Sequence, residues 1–175
     1  MDCFVSFATT VSCMGAKVRQ TLKLLPSLFL CGKIMRVEFY GLRLDLPEAW
    51  ADVTENLPGG SPPSLARPTG AGAIQFSIAK YRGGDEPNVT IDSLRTLLEE
   101  FCQHNDMPRG NMVDCKGKLI SVEASSVMNG ELIRARYFSN GRDIVLGTYV
   151  CSDVNNCEMK DDVKGYERIM NSIEF

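Results

Sequence analysis

The chain is poor in the residues that carry chemistry. It has one histidine, His104, so no Ser/His/Asp arrangement can be assembled without that one side chain. His104 falls at the frayed end of an amphipathic segment, where a solvent-facing imidazole is the expected reading. The seven cysteines (Cys3, Cys13, Cys31, Cys102, Cys115, Cys151, Cys157) include no C-x-x-C pair, and tetrahedral zinc sites are usually announced by close ligand pairs. Cys102-x-His104 is too tight for that spacing. Glycines at 59–60, 70–72 and 83–84 fit neither G-x-x-x-x-G-K-[ST] nor G-x-G-x-x-G and read as turn residues. Asp153-Val154-Asn155-Asn156 is rich in oxygen ligands, but calcium would need an ordered loop of them. Asp161 and Asp162, with Glu158, crowd the start of the last helix, where the dipole favours acids. The apolar run Leu24–Cys31 is interrupted by Pro26 and too short to cross a bilayer. These absences point to a protein that is not an enzyme, with no catalytic residue, metal or cofactor.

What is present is ordinary for a globular domain: 175 residues, 44% hydrophobic and 23% charged, with a net charge of −3. Residues 1–34 hold four cations (Lys17, Arg19, Lys23, Lys33) and one acid, Asp2, which leaves 15 Lys and Arg against 21 Asp and Glu, or −6, over residues 35–175. Such a domain gets no general electrostatic help toward nucleic acid or an anionic membrane. A basic or neutral protein partner suits it better. The odd cysteine count without a regular framework reads as free thiols in a reducing compartment, hence a cytoplasmic protein. A small Cys151–Cys157 disulfide is the exception considered.

Residues 1–34 differ in character from residues 35–175. They are weakly apolar without clear periodicity and read as an N-terminal extension or a mis-assigned start. The alternative is a degenerate export signal over residues 4–16, although Asp2 stands where a cation belongs. Residues 35–175 read as one domain.

Val37 to Leu46 alternates, with Tyr40, Leu42, Leu44 and Leu46 on one side, and predicts a strand. Ala49 to Thr54 is a short extended piece carrying the only tryptophan, Trp50. Glu55 to Gly72, dense in proline and glycine and including Arg67, predicts a long irregular loop of the kind that is often functional. Ala73 to Tyr81 predicts a strand with Ile74, Phe76 and Ile78 inward. Thr90 is a plausible N-cap, ahead of Ile91, Leu94, Leu97, Leu98 and Phe101 at helical spacing. Three strands come next, Leu119–Val127, Glu131–Phe138 and Asp143–Cys151, with hairpin signals at Asn129-Gly130 and Asn140-Gly141. A last helix over about 158–171 places Met159, Val163, Tyr166, Ile169 and Met170 inward and is weakened at Gly165. The expected architecture is α+β, an antiparallel sheet with two amphipathic helices packed on it.

Alternation predicts a polar sheet face of Gln75, Ser77, Tyr81, Ser121, Glu123, Arg134, Arg136 and Thr148. It is either solvated, with Glu123 pairing Arg134 or Arg136 across strands, or covered by a helix, the loop or a partner. Arginine and tyrosine are over-represented at interface hot spots. Trp50, Arg67, Tyr81, Glu123, Arg134 and Arg136 are therefore the candidate partner-binding residues. For Trp50 the rival expectation is a place in the buried core under the loop.

Leu44-Asp45-Leu46-Pro47-Glu48-Ala49-Trp50 resembles the φ-x-φ-P-x-x-W opening of PsbP-like and DcrB-related small α/β sandwich proteins. Ile169-Met170-Asn171-Ser172-Ile173-Glu174-Phe175 resembles their IV-x-S-I-x-F ending. The order of elements between them agrees. The resemblance covers about residues 35–175 and implies a PsbP-like α/β/α sandwich. It also implies a role among photosystem accessory subunits, GTPase-binding factors, phage-sensitivity lipoproteins or immunity-type proteins, few of them enzymes. No clear lipobox of the exported branch is present. The functional expectation is a non-enzymatic protein-binding module, such as an immunity-type or accessory protein of a bacterial toxin or secretion locus. The alternative is a module holding a small apolar molecule between the sheet and loop 55–72.

Overall fold

The computed structural model describes residues 34–108, 112–115 and 119–175. The extension, the export signal and the Leu24–Cys31 run therefore lie outside the described residues, apart from Ile34.

Strands β1 (Ile34–Phe39) and β2 (Leu42–Pro47) form an antiparallel hairpin. This corrects the single strand expected over Val37–Leu46. The chain reverses at Tyr40-Gly41, whose φ values are +49° and +77°, as a two-residue turn matched to strand twist requires. The reversal puts Met35, Val37 and Phe39 on the same face as Leu42, Leu44 and Leu46. Tyr40 leaves that face and stands exposed at the tip.

Next come β3 (Ala51–Asp52), a 3-10 turn at Thr54–Asn56, β4 (Ser64–Ala66) and β5 (Gly72–Ala79). Strand β4 corrects the expectation of a loop without regular structure. Between Pro63 and Pro68 the chain has neither proline nor glycine, and Leu65, buried, pairs with Ile74.

Helix α1 (Ile91–His104) starts where expected. Thr90 Oγ1 accepts from Ser93 N at 3.3 Å and Ser93 Oγ accepts in return from Thr90 N, a reciprocal cap. Leu94, Leu98 and Phe101 are buried. Beyond it lie β6 (Met112–Cys115), which no sequence signal announces, β7 (Ile120–Met128), β8 (Glu131–Ser139), β9 (Ile144–Cys151) and α2 (Met159–Asn171). Asn129-Gly130 turns β7 into β8 with both φ values positive.

Seven strands form one antiparallel sheet in the order β3-β4-β5-β9-β8-β7-β6, among the described residues. Helix α1 covers one face, over Val122, Ala124, Ile133, Ala135, Tyr137 and Leu146. Helix α2 and the β1–β2 hairpin cover the other, over Ile74, Phe76, Val145 and Tyr149.

Register corrects the expected polar face. Gln75 stands opposite Thr148, and Ser77 opposite the α1-side Leu146, whereas Glu123 stands opposite Arg136 and Ser125 opposite Arg134 on the α2 side. The residues grouped on one face are thus divided between two. Alternation within a strand assigns sides only relative to its own neighbours, and cross-strand pairing decides how the strands combine.

Candidate functional site

The two segments that carry the family resemblance meet in space. Arg43 N donates to Glu174 O at 2.9 Å and Glu174 N to Arg43 O at 2.8 Å. Asp45 N donates to Ser172 Oγ at 2.8 Å, and Arg36 reaches Asp45 and the Ser172 carbonyl. The end of the chain is thereby laid along β2. Trp50 is buried and lies against Gly165 of α2. Of its two expected roles it takes the core one. Leu65 joins it in the same core, where the alternative reading would seat an apolar ligand.

Arg67, offered as a partner contact, is engaged within the chain. Its Nη1 donates to Asp162 Oδ1 at 2.8 Å and its Nη2 to Glu158 Oε2 at 2.9 Å. Asp162 is fully buried, and its Oδ2 accepts from the amides of Ala71 at 2.6 Å and Gly72 at 3.1 Å. Burial opposes the charge on Arg67, and the two carboxylates outweigh it, raising its pKa above the usual arginine value. Burial and the neighbouring Asp162 push the Tyr149 hydroxyl upward as well. Helix-dipole stabilisation, expected for Asp162, is the smaller part of its role. It fastens the loop before β5 to the first turn of α2.

Tyr81 lies at the opposite end of β5. Its hydroxyl donates to Gly84 O, and its amide donates to Asp143 Oδ1 at 2.9 Å. Asp143 is buried, which by itself would raise its pKa. Hydrogen bonds from Arg142, the Tyr81 amide and Asn140 prevail and hold it below the ordinary 3.8. A depressed carboxylate contributes stability above its unfolded pKa and loses it as pH falls. Asp143→Asn is therefore expected to destabilise by a constant amount at neutral pH. Its deficit relative to wild type should shrink once pH falls below 3.8, as read from urea midpoints across a pH series.

Glu123, Arg134 and Arg136 do come together, beneath α2. Arg134 Nε donates to Glu123 Oε1 at 2.9 Å and Nη1 to Glu167 Oε1 at 3.1 Å, while its guanidinium lies 4.8 Å from the Tyr166 ring centroid. Arg136 is buried over Phe138, donating to Asn171 Oδ1 at 2.8 Å and Ser121 Oγ at 3.3 Å. Its Nε has no hydrogen-bond partner among the described residues; Glu123 Oε2 stands 4.0 Å away. The expected cross-strand pairing of Glu123 with arginine is present, inside a covered layer rather than on a solvated face.

Two residues that carry no signal in the sequence mark the more accessible ground. Val113 on β6, opposite Glu123, is 62% exposed, and Val127 on β7, opposite Leu132, is 60% exposed. Both stand on the α2 side of the sheet, at the end remote from the hairpin. Glu123, opposite Val113, pairs with Arg134, which also bonds Glu167, 53% exposed by its side chain. A four-residue β6 is too short to announce an alternating pattern.

The remaining chemical candidates separate. Cys102 is buried on α1, His104 is exposed with its ring bonded to Glu100 O at 2.8 Å, and Cys151 lies on the other face of the sheet. Burial pushes the Cys102 thiol up, with Glu99 adding to it. Cys151 and Cys157 are both free thiols, so the disulfide considered between them does not form. Asp153 and Asn156 side chains accept from the amides of Asn155 and Glu158 as turn caps. Among the described residues no three His, Cys, Asp or Glu side chains gather as metal ligands, and no helix is long and apolar enough to cross a membrane.

The architecture has solved counterparts. Cyanobacterial PsbP (CyanoP) from Synechocystis sp. PCC 6803 matches with a TM-score of 0.54 and 14% identity, over 87% of this chain and 98% of that one. A structure from Bacteroides thetaiotaomicron VPI-5482 matches with a TM-score of 0.50 and 14% identity, over 83% of this chain. That match takes in 48% of the Bacteroides chain, so the present chain spans about half its length. No protein-family model and no curated protein matches the sequence. The fold is PsbP-like; at such identities the likeness speaks to fold alone.

Proposed function

We propose that this protein is a non-enzymatic protein-binding module, acting as an immunity-type or accessory protein of a bacterial toxin or secretion locus. The observation that carries the reading is the exposure of Val113 and Val127 on the α2 side of the sheet, the same face that carries the Glu123–Arg134–Glu167 ion pairs. Exposed apolar side chains rimmed by charge are the usual makings of an interface. The excess of acids over residues 35–175 favours a basic or neutral partner. The occupant that fits is a protein surface presenting apolar side chains to the two valines and a lysine or arginine to Glu167. The PsbP-like scaffold and the resemblance of both end motifs to a family with few enzymes support the same reading.

The test is capture from lysate of the source organism with the tagged full chain, quantified by mass spectrometry. The expected result is one stoichiometric partner, basic or neutral in net charge. Folded protein that captures no stoichiometric partner contradicts the proposal.

A further inference from the structure

Strand β1 is the outer strand of the hairpin and, among the described residues, pairs only with β2. Three of the large apolar side chains that stand exposed belong to it or its turn, namely Ile34, Met35 and Tyr40. Edge strands are usually blunted by charge, proline or a covering segment, because a row of unsatisfied backbone groups recruits another strand.

The direction in which the backbone groups of β1 point is set by bonds on the far side of β2. Arg43 exchanges both of its backbone bonds with Glu174, and Asp45 N is bonded to Ser172 Oγ. In an antiparallel pair, hydrogen-bonded and non-hydrogen-bonded positions alternate. The pairs Glu38↔Arg43 and Arg36↔Asp45 are therefore the non-bonded ones. The N–H and C=O groups of Arg36 and Glu38 consequently point outward from β1, away from β2.

We propose that this outer edge pairs antiparallel with the same edge of a second copy, about a twofold axis at Val37. Only outward-facing residues can exchange bonds, so the axis must pass through a residue rather than between two. An axis at Arg36 sets Arg36 against itself, and an axis at Glu38 sets Glu38 against itself. The axis at Val37 sets Arg36 opposite Glu38 twice over, Met35 opposite Phe39, and Ile34 near Tyr40 of the second copy. It is the register with opposite charges facing each other, Glu38 of the second copy joining Asp45 and Glu174 around Arg36, and a self-complementary patch of this kind is what a twofold contact needs. Room for the second copy is visible on the inner face of the hairpin. Leu42 and Leu44 on β2 are fully buried, whereas Met35 on β1 points inward yet is 44% exposed. The body of the domain therefore does not project past β1 at that point. The result is a four-stranded intermolecular sheet, β2-β1-β1-β2, independent of the Val113 and Val127 surface.

The full chain is tested in sedimentation equilibrium and by a cysteine at the axis. The expected mass is twice 19.3 kDa. Glu38→Arg, which faces Arg36 with a second cation, should raise the dimer Kd at least about tenfold. Val37→Cys should give a disulfide-linked dimer through residue 37, since non-bonded antiparallel pairs stand about 4.5 Å apart at Cα, within disulfide reach. Peptide mapping distinguishes that linkage from one through Cys157. A monomer overturns the proposal, whether residues 1–33 or nothing covers the edge. So does a dimer that Glu38→Arg leaves intact or that Val37→Cys fails to link.

Discussion

Replacing Asp162 by alanine is expected to lower stability by about 3–5 kcal/mol, the cost of removing one member of a buried ion pair. The carboxylate is fully buried and holds Arg67, two backbone amides and, at 3.4 Å, the Tyr149 hydroxyl. Alanine leaves Ala71 N and Gly72 N without the buried carboxylate that accepts from them, and it strips Arg67 of the nearer of its two carboxylates. Glu158 retains the other, which is why the loss is not larger. Asp162→Asn keeps an acceptor but not the charge, and about 1–3 kcal/mol is expected. Urea midpoints with unchanged slopes measure both. A double change, Arg67→Met with Asp162→Leu, should cost less than Asp162→Ala alone, because it removes both charges together. Asp162→Ala within about 1 kcal/mol of wild type would refute the fastening role.

Gly165→Ala inverts the usual sign. In an exposed helix interior, alanine gains about 1 kcal/mol over glycine. Here a Cβ would stand 2.7 Å from Trp50 Cε2 and closer still to Nε1. The indole belongs to the core and cannot swing aside as the tip of a flexible side chain would, so overpacking, typically about 1–3 kcal/mol, outweighs the helix gain. Net destabilisation is expected by thermal or urea unfolding. In a Trp50→Leu background, itself destabilised, the same Gly165→Ala change should turn neutral or stabilising. Destabilisation of equal size in both backgrounds would show that the ring is not the obstacle.

Those two residues also show where sequence reading stops. Gly165 reads as a weak point of a helix, because propensity is local; its purpose lies 115 positions away in the ring of Trp50. Asp162 reads as a dipole partner because its neighbours in sequence are acids, and nothing in the sequence points to Arg67. What is legible depends on local signals. The Thr90 cap, the stripe from Leu94 to Phe101, the Asn129-Gly130 turn and the end motifs at Leu44–Trp50 and Ile169–Phe175 all act over a few residues, and together they point to the PsbP-like fold. The hairpin at Tyr40-Gly41 escapes because Tyr40, inside the turn, continues the alternation of Leu42, Leu44 and Leu46, and tyrosine is not a usual I′ residue. The charged residues expected as contacts also have partners inside the chain that the sequence does not announce. Arg67, Glu123, Arg134 and Arg136 bond within the chain, between layers whose closeness only the register reveals.

The proposed interface is tested most directly by capturing the partner side by side with three forms of the full chain. These are wild type, Val127→Lys combined with Val113→Lys, and Tyr40→Asn. The reading predicts that the wild-type protein and Tyr40→Asn retain the stoichiometric partner, because Tyr40 is exposed at the tip of the β1–β2 hairpin and asparagine keeps the positive φ of the turn. The double valine variant, which stays folded because both positions face solvent, should lose it. Undiminished capture by the double valine variant would contradict the assignment of that end of the sheet as the binding surface.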